Sequence, residues 1–221
     1  MTGVDQLHHK QVVLELSGKH LFKGILVDYG LDVVVIYNGN DFLYIPIMQI
    51  QNMKENPYPD PQLYYPTNLP FETNKEGISL RKMITNAKGM FVKLYVVGNQ
   101  TLHGYVINVL NDYFVFYSPV YKNIFVSIYH LKWLIPYTQN TTPYSLKSQQ
   151  IAFNPSSVSV SRSFEEQLKR LEGNIVVFDI GDNPAKSGLL KKASDKMIIL
   201  VTGEGEEISW NVQHLKTVHT P

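Results

Sequence analysis

Apolar and polar residues alternate in short runs along most of this chain, a pattern typical of half-buried β-strands. In the first fifty-six residues the runs are brief and are separated by turn residues, with Asn38-Gly39 as a strong hairpin signal. The apolar runs lie at 12–16, 25–27, 33–37 and 42–48, and Ile50 and Met53 follow. Five short strands with tight turns predict a small, strongly bent barrel.

The same arrangement occurs three times. A glycine is followed about eight residues later by an aspartate that opens an apolar strand: Gly24 and Asp32, Gly104 and Asp112, Gly188 and Asp195. The glycines are 80 and then 84 residues apart, which indicates three modules in tandem. We expect each glycine to permit a bend or a close backbone approach, and each aspartate to accept backbone N–H groups at a turn.

Modules two and three carry an additional helical signal before their first strand. In module two, apolar residues at 78, 80, 83, 84 and 87 have helical spacing and end at Gly89. In module three, Ser163 and Glu166 form a capping-box pattern before a stripe of apolar residues that ends at Gly173. A helix leading into a five-stranded bent sheet is the Sm-like plan. The predicted fold is therefore mainly β, with three tandem Sm-like or SH3-like barrels and short helices on modules two and three.

Composition changes mark the boundaries between the modules. We predict barrels at 1–56, 77–138 and 162–221, joined by linkers at 57–76 and 139–161. The first linker holds five of the twelve prolines and three tyrosines, so we expect it to be extended and stiff. The second is rich in Ser, Thr, Asn and Gln, so we expect it to be flexible.

Several classes of chemistry lack their sequence signals. The chain has no cysteine, which excludes disulfides and thiolate metal ligands. It contains no nucleophile elbow, P-loop, Rossmann glycine cluster or H-E-x-x-H motif, so we expect no enzymatic activity, no cofactor and no metal. Neither a secretory leader nor a run of about 18 apolar residues is present, and we expect synthesis in the cytoplasm and no membrane span.

The balance of charge and aromatic residues favours protein–protein contact. Charged residues make up 18% of the chain, whereas aromatic residues reach 12%, including 14 tyrosines. Tyrosine supplies a large contact area at a small entropic cost. Module two is the exception in charge, with six basic residues against one acidic residue, and is the module suited to anions.

Matching positions near the end of each module are the candidate partner-binding site. Tyr129-His130-Leu131-Lys132 aligns with Gln213-His214-Leu215-Lys216, and Gln49 stands at the histidine position in module one. Gln is a poor metal ligand, so we expect hydrogen bonds at a module edge. We expect Trp133 and Trp210 to pack in the core or between modules, with partner recognition as the alternative. They come from the same end of their modules, which would suit a shared contact surface. The candidate residues are Tyr129, His130, Lys132, Trp133, Trp210, His214 and Lys216.

The repeated frame resembles that of the B-type outer coat protein of bacterial endospores (CotB) and its relatives. The frame is a G-x-L-x-x-(V/A)-x-x-D-x-x-(V/I) segment, an apolar-aromatic strand and an H-(I/L)-K-x-(I/V/L) segment. It spans 23–36 with 42–53, 89–115 with 125–134, and 173–199 with 208–218. The 182–188 loop is similar to the Gly-Gly-Pro-Glu-x-x-x-Gly hairpin of that family.

This resemblance implies a non-enzymatic structural protein of the spore coat that binds other coat proteins. The alternative is an Sm-like nucleic-acid-binding protein that uses Lys93, His130 and Lys132 in module two. Sm-like rings often contain six barrels, so a further hypothesis is a homo-oligomer in which two chains close a pseudo-hexameric ring.

Overall fold

The protein is described by a computed structural model that covers residues 3–71, 77–98, 100–137, 144 and 158–221. Fifteen β-strands and two α-helices within these ranges confirm that the fold is mainly β. Five strands lie in module one: β1 (Gln11–Leu16), β2 (His20–Tyr29), β3 (Val33–Tyr37), β4 (Phe42–Pro46) and β5 (Ile50–Glu55).

Modules two and three each begin with one of the predicted helices. Module two contains α1 (Leu80–Asn86), β6 (Phe91–Tyr95), β7 (Thr101–Val109), β8 (Tyr113–Ser118), β9 (Lys122–Ser127) and β10 (Trp133–Pro136). Module three contains α2 (Phe164–Arg170), β11 (Ile175–Phe178), β12 (Ser187–Ser194), β13 (Met197–Val201), β14 (Glu207–Asn211) and β15 (Thr217–His219). A 3-10 turn joins the fourth and fifth strands of each module, at Ile47–Gln49, Ile128–His130 and Val212–His214.

All fifteen strands belong to one antiparallel sheet. Its order is β14-β13-β12-β11-β15-β9-β8-β7-β6-β10-β4-β3-β2-β1-β5. Within every module the order is therefore fourth, third, second, first, fifth. The fifth strand of one module pairs with the fourth strand of the module before it, as β10 with β4 and β15 with β9. Among the described strand pairs none closes a module on itself, so the modules form an open, continuous sheet where separate barrels were predicted.

The repeat glycines lie where the second strand of each module passes very close to the third. A Cβ on Gly24 would lie 2.4 Å from the Tyr37 carbonyl oxygen, and one on Gly104 would lie 1.9 Å from that of Tyr117. The corresponding distance at Gly188 is 2.1 Å, to the Val201 carbonyl oxygen. The predicted close approach is confirmed. Each second strand also has a bulge a few residues later, which increases its bend.

The N-terminus of each helix is capped by a serine of its own module and by an aspartate of the preceding module. Ser79 and Ser163 accept hydrogen bonds from the third residue of α1 and of α2, at 3.3 Å each. Asp32 Oδ1 accepts from Leu80 N at 2.7 Å, and Asp112 Oδ1 accepts from Phe164 N at 2.8 Å. The aspartates accept backbone N–H groups as predicted, but these belong to the helix of the next module.

In module three the predicted aspartate is displaced by one position. The Asp32 and Asp112 carbonyls accept from the first N–H of the 3-10 turn in their own modules, and the Lys196 carbonyl does so in module three. Lys196 is therefore the structural counterpart of the two capping aspartates, and Asp195 precedes it. The tighter β12–β13 turn, with positive φ at both residues, causes the offset.

The hydrophobic cores extend across the module boundaries. Tyr95, Trp133 and Ile135 of module two complete a cluster formed mainly by the strands of module one. Tyr113, Val115 and Phe125 of module two join the cluster of module three in the same way. Modules of about 50 residues have small cores of their own, and this sharing buries apolar surface that each would otherwise expose.

The proline-rich linker packs on module one. Residues 57–71 form no helix or strand. Tyr65 donates to the Val27 carbonyl oxygen at 3.1 Å, and the Phe71 ring lies 4.9 Å from that of Tyr44. Tyr58 and Tyr64 are 87% and 76% exposed. Residues 72–76, and all of 139–157 except residue 144, lie outside the described residues, and so does the predicted flexibility of the second linker.

Candidate functional site

The three 3-10 turns that precede the fifth strands lie side by side along the sheet, and we call them the turn row: Ile47–Gln49, Ile128–His130 and Val212–His214. Their first N–H groups make equivalent bonds of 2.9, 2.9 and 2.8 Å to the carbonyls of Asp32, Asp112 and Lys196. The row therefore presents three structurally matched copies of one turn.

Side chains link each turn to the next one. Gln49 Nε2 donates to the Tyr129 carbonyl oxygen at 3.0 Å, and His130 Nε2 lies 2.8 Å from the Gln213 carbonyl oxygen. The last residue of each turn thus reaches the middle residue of the following turn. This confirms the hydrogen bonds predicted at the module edge for Gln49 and His130. His214, the third member, is exposed at the end of the row.

His130 is held as a neutral donor. Because a carbonyl oxygen accepts hydrogen bonds and does not donate them, Nε2 carries the proton. Burial lowers the pKa of His130, and nearby Lys216 and His214 act in the same direction. The bond to Gln213 and the charge of Asp179 raise it, but burial is the largest effect. His130 therefore serves as a structural link between modules two and three.

The candidate lysines are engaged at module junctions. Lys132 Nζ donates to the Ser17 carbonyl oxygen of module one at 3.0 Å and lies 5.8 Å from the centre of the Tyr95 ring. Burial, and secondarily Lys216, lower the pKa of Lys132. The backbone of Lys216 donates to Asp179 Oδ1 at 2.7 Å and accepts from Ser127 N at 2.9 Å.

Trp133 packs between modules one and two, as predicted, but the two tryptophans do not share a surface. Trp133 lies on β10, a fifth strand, and Trp210 lies on β14, a fourth strand, so they occupy opposite edges of their modules. Trp133 is 6% exposed, stacks on Tyr95 with ring centres 4.0 Å apart and meets the Phe22 ring of module one at 4.8 Å. Trp210 lies on the outermost strand, with Lys186 Nζ 5.3 Å from its ring centre.

A cavity of about 520 Å³ opens where modules two and three meet beside the turn row. Its lining includes Tyr129 and His130 of module two, Lys196 and Gln213 of module three, and Met48 of module one. Glu165 at the start of α2 adds a carboxylate. Tyr129 is 59% exposed and is the most accessible candidate residue at this opening.

Residues 3–71, 77–98, 100–137, 144 and 158–221 contain no group of three or more His, Asp or Glu side chains placed to hold a metal ion. Within the same ranges no helix has the length and apolar character needed to cross a membrane.

The structure adds residues to the site that sequence reasoning did not select. Gln213 offers its carbonyl oxygen to His130, Met48 is the equivalent residue of module one, and Asp32 and Asp112 join consecutive modules through helix capping. The alignment of the three repeats contained a signal for Met48, because it matches Tyr129 and Gln213. The capping role had no such signal, since Asp32 and Leu80 are 48 positions apart.

Comparisons with known proteins agree with the repeat organisation. A family model described as the YwrJ third domain matches residues 163–218, which is α2 and the strands that follow it. The chain is also 41% identical over 225 residues to a protein of Bacillus subtilis (strain 168) described as uncharacterized protein YwrJ, and the match covers the whole of both chains. The chain therefore belongs to the YwrJ family.

Proposed function

We propose that this chain is a non-enzymatic structural protein of the spore coat, or of a related surface layer, that assembles with other coat proteins through its β-modules. The observation that carries the proposal is the repeated edge-to-edge joining of modules. At each junction the fifth strand of a module extends the sheet of the module before it, and within the described residues the sheet ends in two open edge strands, β5 and β14.

The modules themselves support an Sm-like interpretation. Modules two and three consist of a short helix that leads into five antiparallel strands, and all three modules carry a bulge in the second strand. Glycine beside that bulge lets the strand bend against its neighbour. We propose that each module is an Sm-like unit whose end strands bind the next unit.

The exposed surface is suited to adhesion. Open edge strands offer backbone donors and acceptors to a partner strand. Met48, Tyr58 and Tyr129 are 61%, 87% and 59% exposed and supply contact area beside the strands. Three linked modules would also bind a layered partner with avidity, because the second and third contacts form at high effective concentration.

Assignment to the coat rests on the resemblance of the repeated frame to coat proteins. A fluorescent fusion of the full chain, expressed from its own promoter, tests it. We expect fluorescence to appear during sporulation and to form a shell around the spore. Fluorescence that stays diffuse in cells, or expression confined to growing cells, would contradict the proposal.

Nucleic-acid binding is the less favoured function. It would use Lys93 and Lys132 of module two, but Lys132 donates to Ser17 and Lys93 lies 4.0 Å from Asp41. Both lysines are thus directed at module one. Phosphate binding depends on free cationic groups, and its affinity falls steeply with salt. A gel shift of oligo-U or oligo-A at low salt that disappears at higher salt would favour this alternative instead.

A further inference from the structure

The two outer strands of the sheet are the unmatched halves of one repeated junction. At both internal junctions a fifth strand covers a fourth strand. Among the described strands of one chain, this leaves the fourth strand of module three, β14, and the fifth strand of module one, β5, uncovered. One fourth strand and one fifth strand, the two types that pair at the internal junctions, are therefore open at opposite ends of the sheet. We propose that β14 of one copy pairs with β5 of a second copy, and that two copies joined at both ends close a ring of six modules.

Burial differs between joined and open copies of the same strands. Every residue of β10 and of β15, the fifth strands in junctions, is buried, whereas no residue of β5 is. The fourth strands β4 and β9 each have four buried residues, and β14 has none. The open strands retain apolar residues for a partner, with Ile208 and Trp210 on β14 and Ile50 and Met53 on β5.

The internal junctions fix the register of the proposed one. Leu134 lies opposite Tyr44 at the first junction, and Val218 lies opposite Phe125 at the second. The repeat alignment places Met53 with Leu134 and Val218, and Ser209 with Tyr44 and Phe125. Met53 of one copy should therefore lie opposite Ser209 of the other. At the second junction Thr217 also lies opposite Val126. The equivalent neighbouring pair between copies is Asn52 opposite Trp210.

Hydrogen-bonding groups at the open edges match this register. At the second junction Ser127 N donates to the Lys216 carbonyl oxygen at 2.9 Å. The repeat alignment matches Ser127 with Asn211 and Lys216 with Gln51. Between copies, Asn211 N should therefore donate to the Gln51 carbonyl oxygen. Trp210 Nε1 is buried and has no partner within the described part of one copy. Pairing would bring the side chain of Asn52 beside it, because directly opposed residues have Cβ atoms about 5 Å apart.

The turn row continues across the same contact. Gln49 reaches the Tyr129 carbonyl and His130 reaches that of Gln213, so the next member, His214, should reach the Met48 carbonyl of the second copy. In one copy His214 is exposed and Met48 is 61% exposed. This exposure is expected of turn-row residues whose contact forms only between copies. The same contact thus completes both the sheet and the turn row.

Cross-linking between two single-cysteine variants tests the pairing, and the natural sequence contributes no cysteine. Met53→Cys and Ser209→Cys are purified separately, mixed and treated with a short bis-maleimide. We expect covalent dimers in the mixture at several times the yield of either variant alone, because the contact is head to tail. Val120→Cys, 60% exposed in the β8–β9 turn, replaces Met53→Cys in the control mixture and should give only the background yield.

Equal yields from the mixture and from each variant alone, or no excess over the control, would overturn the pairing. Light scattering of the uncross-linked protein reports ring closure, with an expected mass of twice 25.3 kDa. A mass that rises steadily with concentration would overturn the closed ring. The experiment uses purified protein without other coat components, so its failure would leave the spore localisation untouched, and failed localisation would leave this pairing untouched.

Discussion

Single residues join the modules through bonds that cross long sequence separations. Asp32 and Asp112 accept the first N–H groups of helices in the following module, and Gln49 and His130 bind the next turn of the turn row. A helix N-terminus favours a carboxylate because its first N–H groups lack partners within the helix. These residues therefore determine how consecutive modules sit against one another.

Replacing Asp112 with alanine should lower the free energy of unfolding by about 1 kcal/mol or somewhat more, since Phe164 N loses its acceptor at the start of α2. Urea denaturation followed by circular dichroism measures this change. Lys196→Ala is the matched control at the equivalent position of module three and should change the free energy by less than about 0.5 kcal/mol. Equal losses in both variants would contradict the capping role.

Replacing Gly104 with alanine should destabilise module two by about 3 kcal/mol or prevent folding, because its Cβ would lie 1.9 Å from the backbone oxygen of Tyr117. Gly203→Ala is the control, since a Cβ there has no heavy atom within 4 Å. Thermal unfolding of the two variants provides the comparison. A Gly104→Ala protein as stable as the control would show that the strands separate easily at this point.

The fold should lose stability in mild acid in part through His130. Burial lowers the pKa of this histidine in the folded protein, so the unfolded chain binds its proton more readily. The stabilisation is complete above the ordinary pKa of 6.5 and is lost as the pH falls through the lowered value. His130→Gln, which copies Gln49, should show a smaller loss between pH 7.5 and pH 5.5 in urea denaturation. An unchanged loss would remove His130 as a source of the pH dependence.

Among helices and strands, sequence patterns predict the elements that form within one module, but they do not predict the contacts between segments that are distant in the chain. The strands, the Ser163 cap and the glycine approaches follow from spacing within one module, and the structure confirms them. The sequence pattern indicates Asp195 and not Lys196, because spacing along the chain does not report turn length. Both tryptophans come from the same end of their modules in the sequence, but the 3-10 turn places them on different strands. Strand pairing between modules leaves no periodic signal in the chain.

Replacing Trp133 tests the packing of β10 at the junction between modules one and two. Trp133→Ala should cost about 3 to 5 kcal/mol, because the side chain is buried between Tyr95 and Phe22. Trp210→Ala, on the open edge strand, should cost clearly less in the single chain. Denaturant unfolding at low protein concentration makes the comparison. A larger loss for Trp210→Ala would contradict the assignment of Trp133 to the junction and of Trp210 to the open edge.

At the scale of the whole molecule, three modules share one sheet and one row of turns, and both features stop at exposed strands. Continuous pairing explains why the cores cross module boundaries and why the outermost strands are the least buried. Open edges of this kind bind other strands unless they are covered. We therefore propose that the protein acts in assembly, through contacts of its edge strands with neighbouring strands.

Light scattering of the purified protein over a range of concentrations gives its mass in solution and shows whether the two open edges bind each other. We predict a stable particle of twice 25.3 kDa, in which both open edges are covered. A strict monomer at high concentration would contradict the pairing of β14 with β5 of a second copy, because the two open edges would then have no affinity for each other.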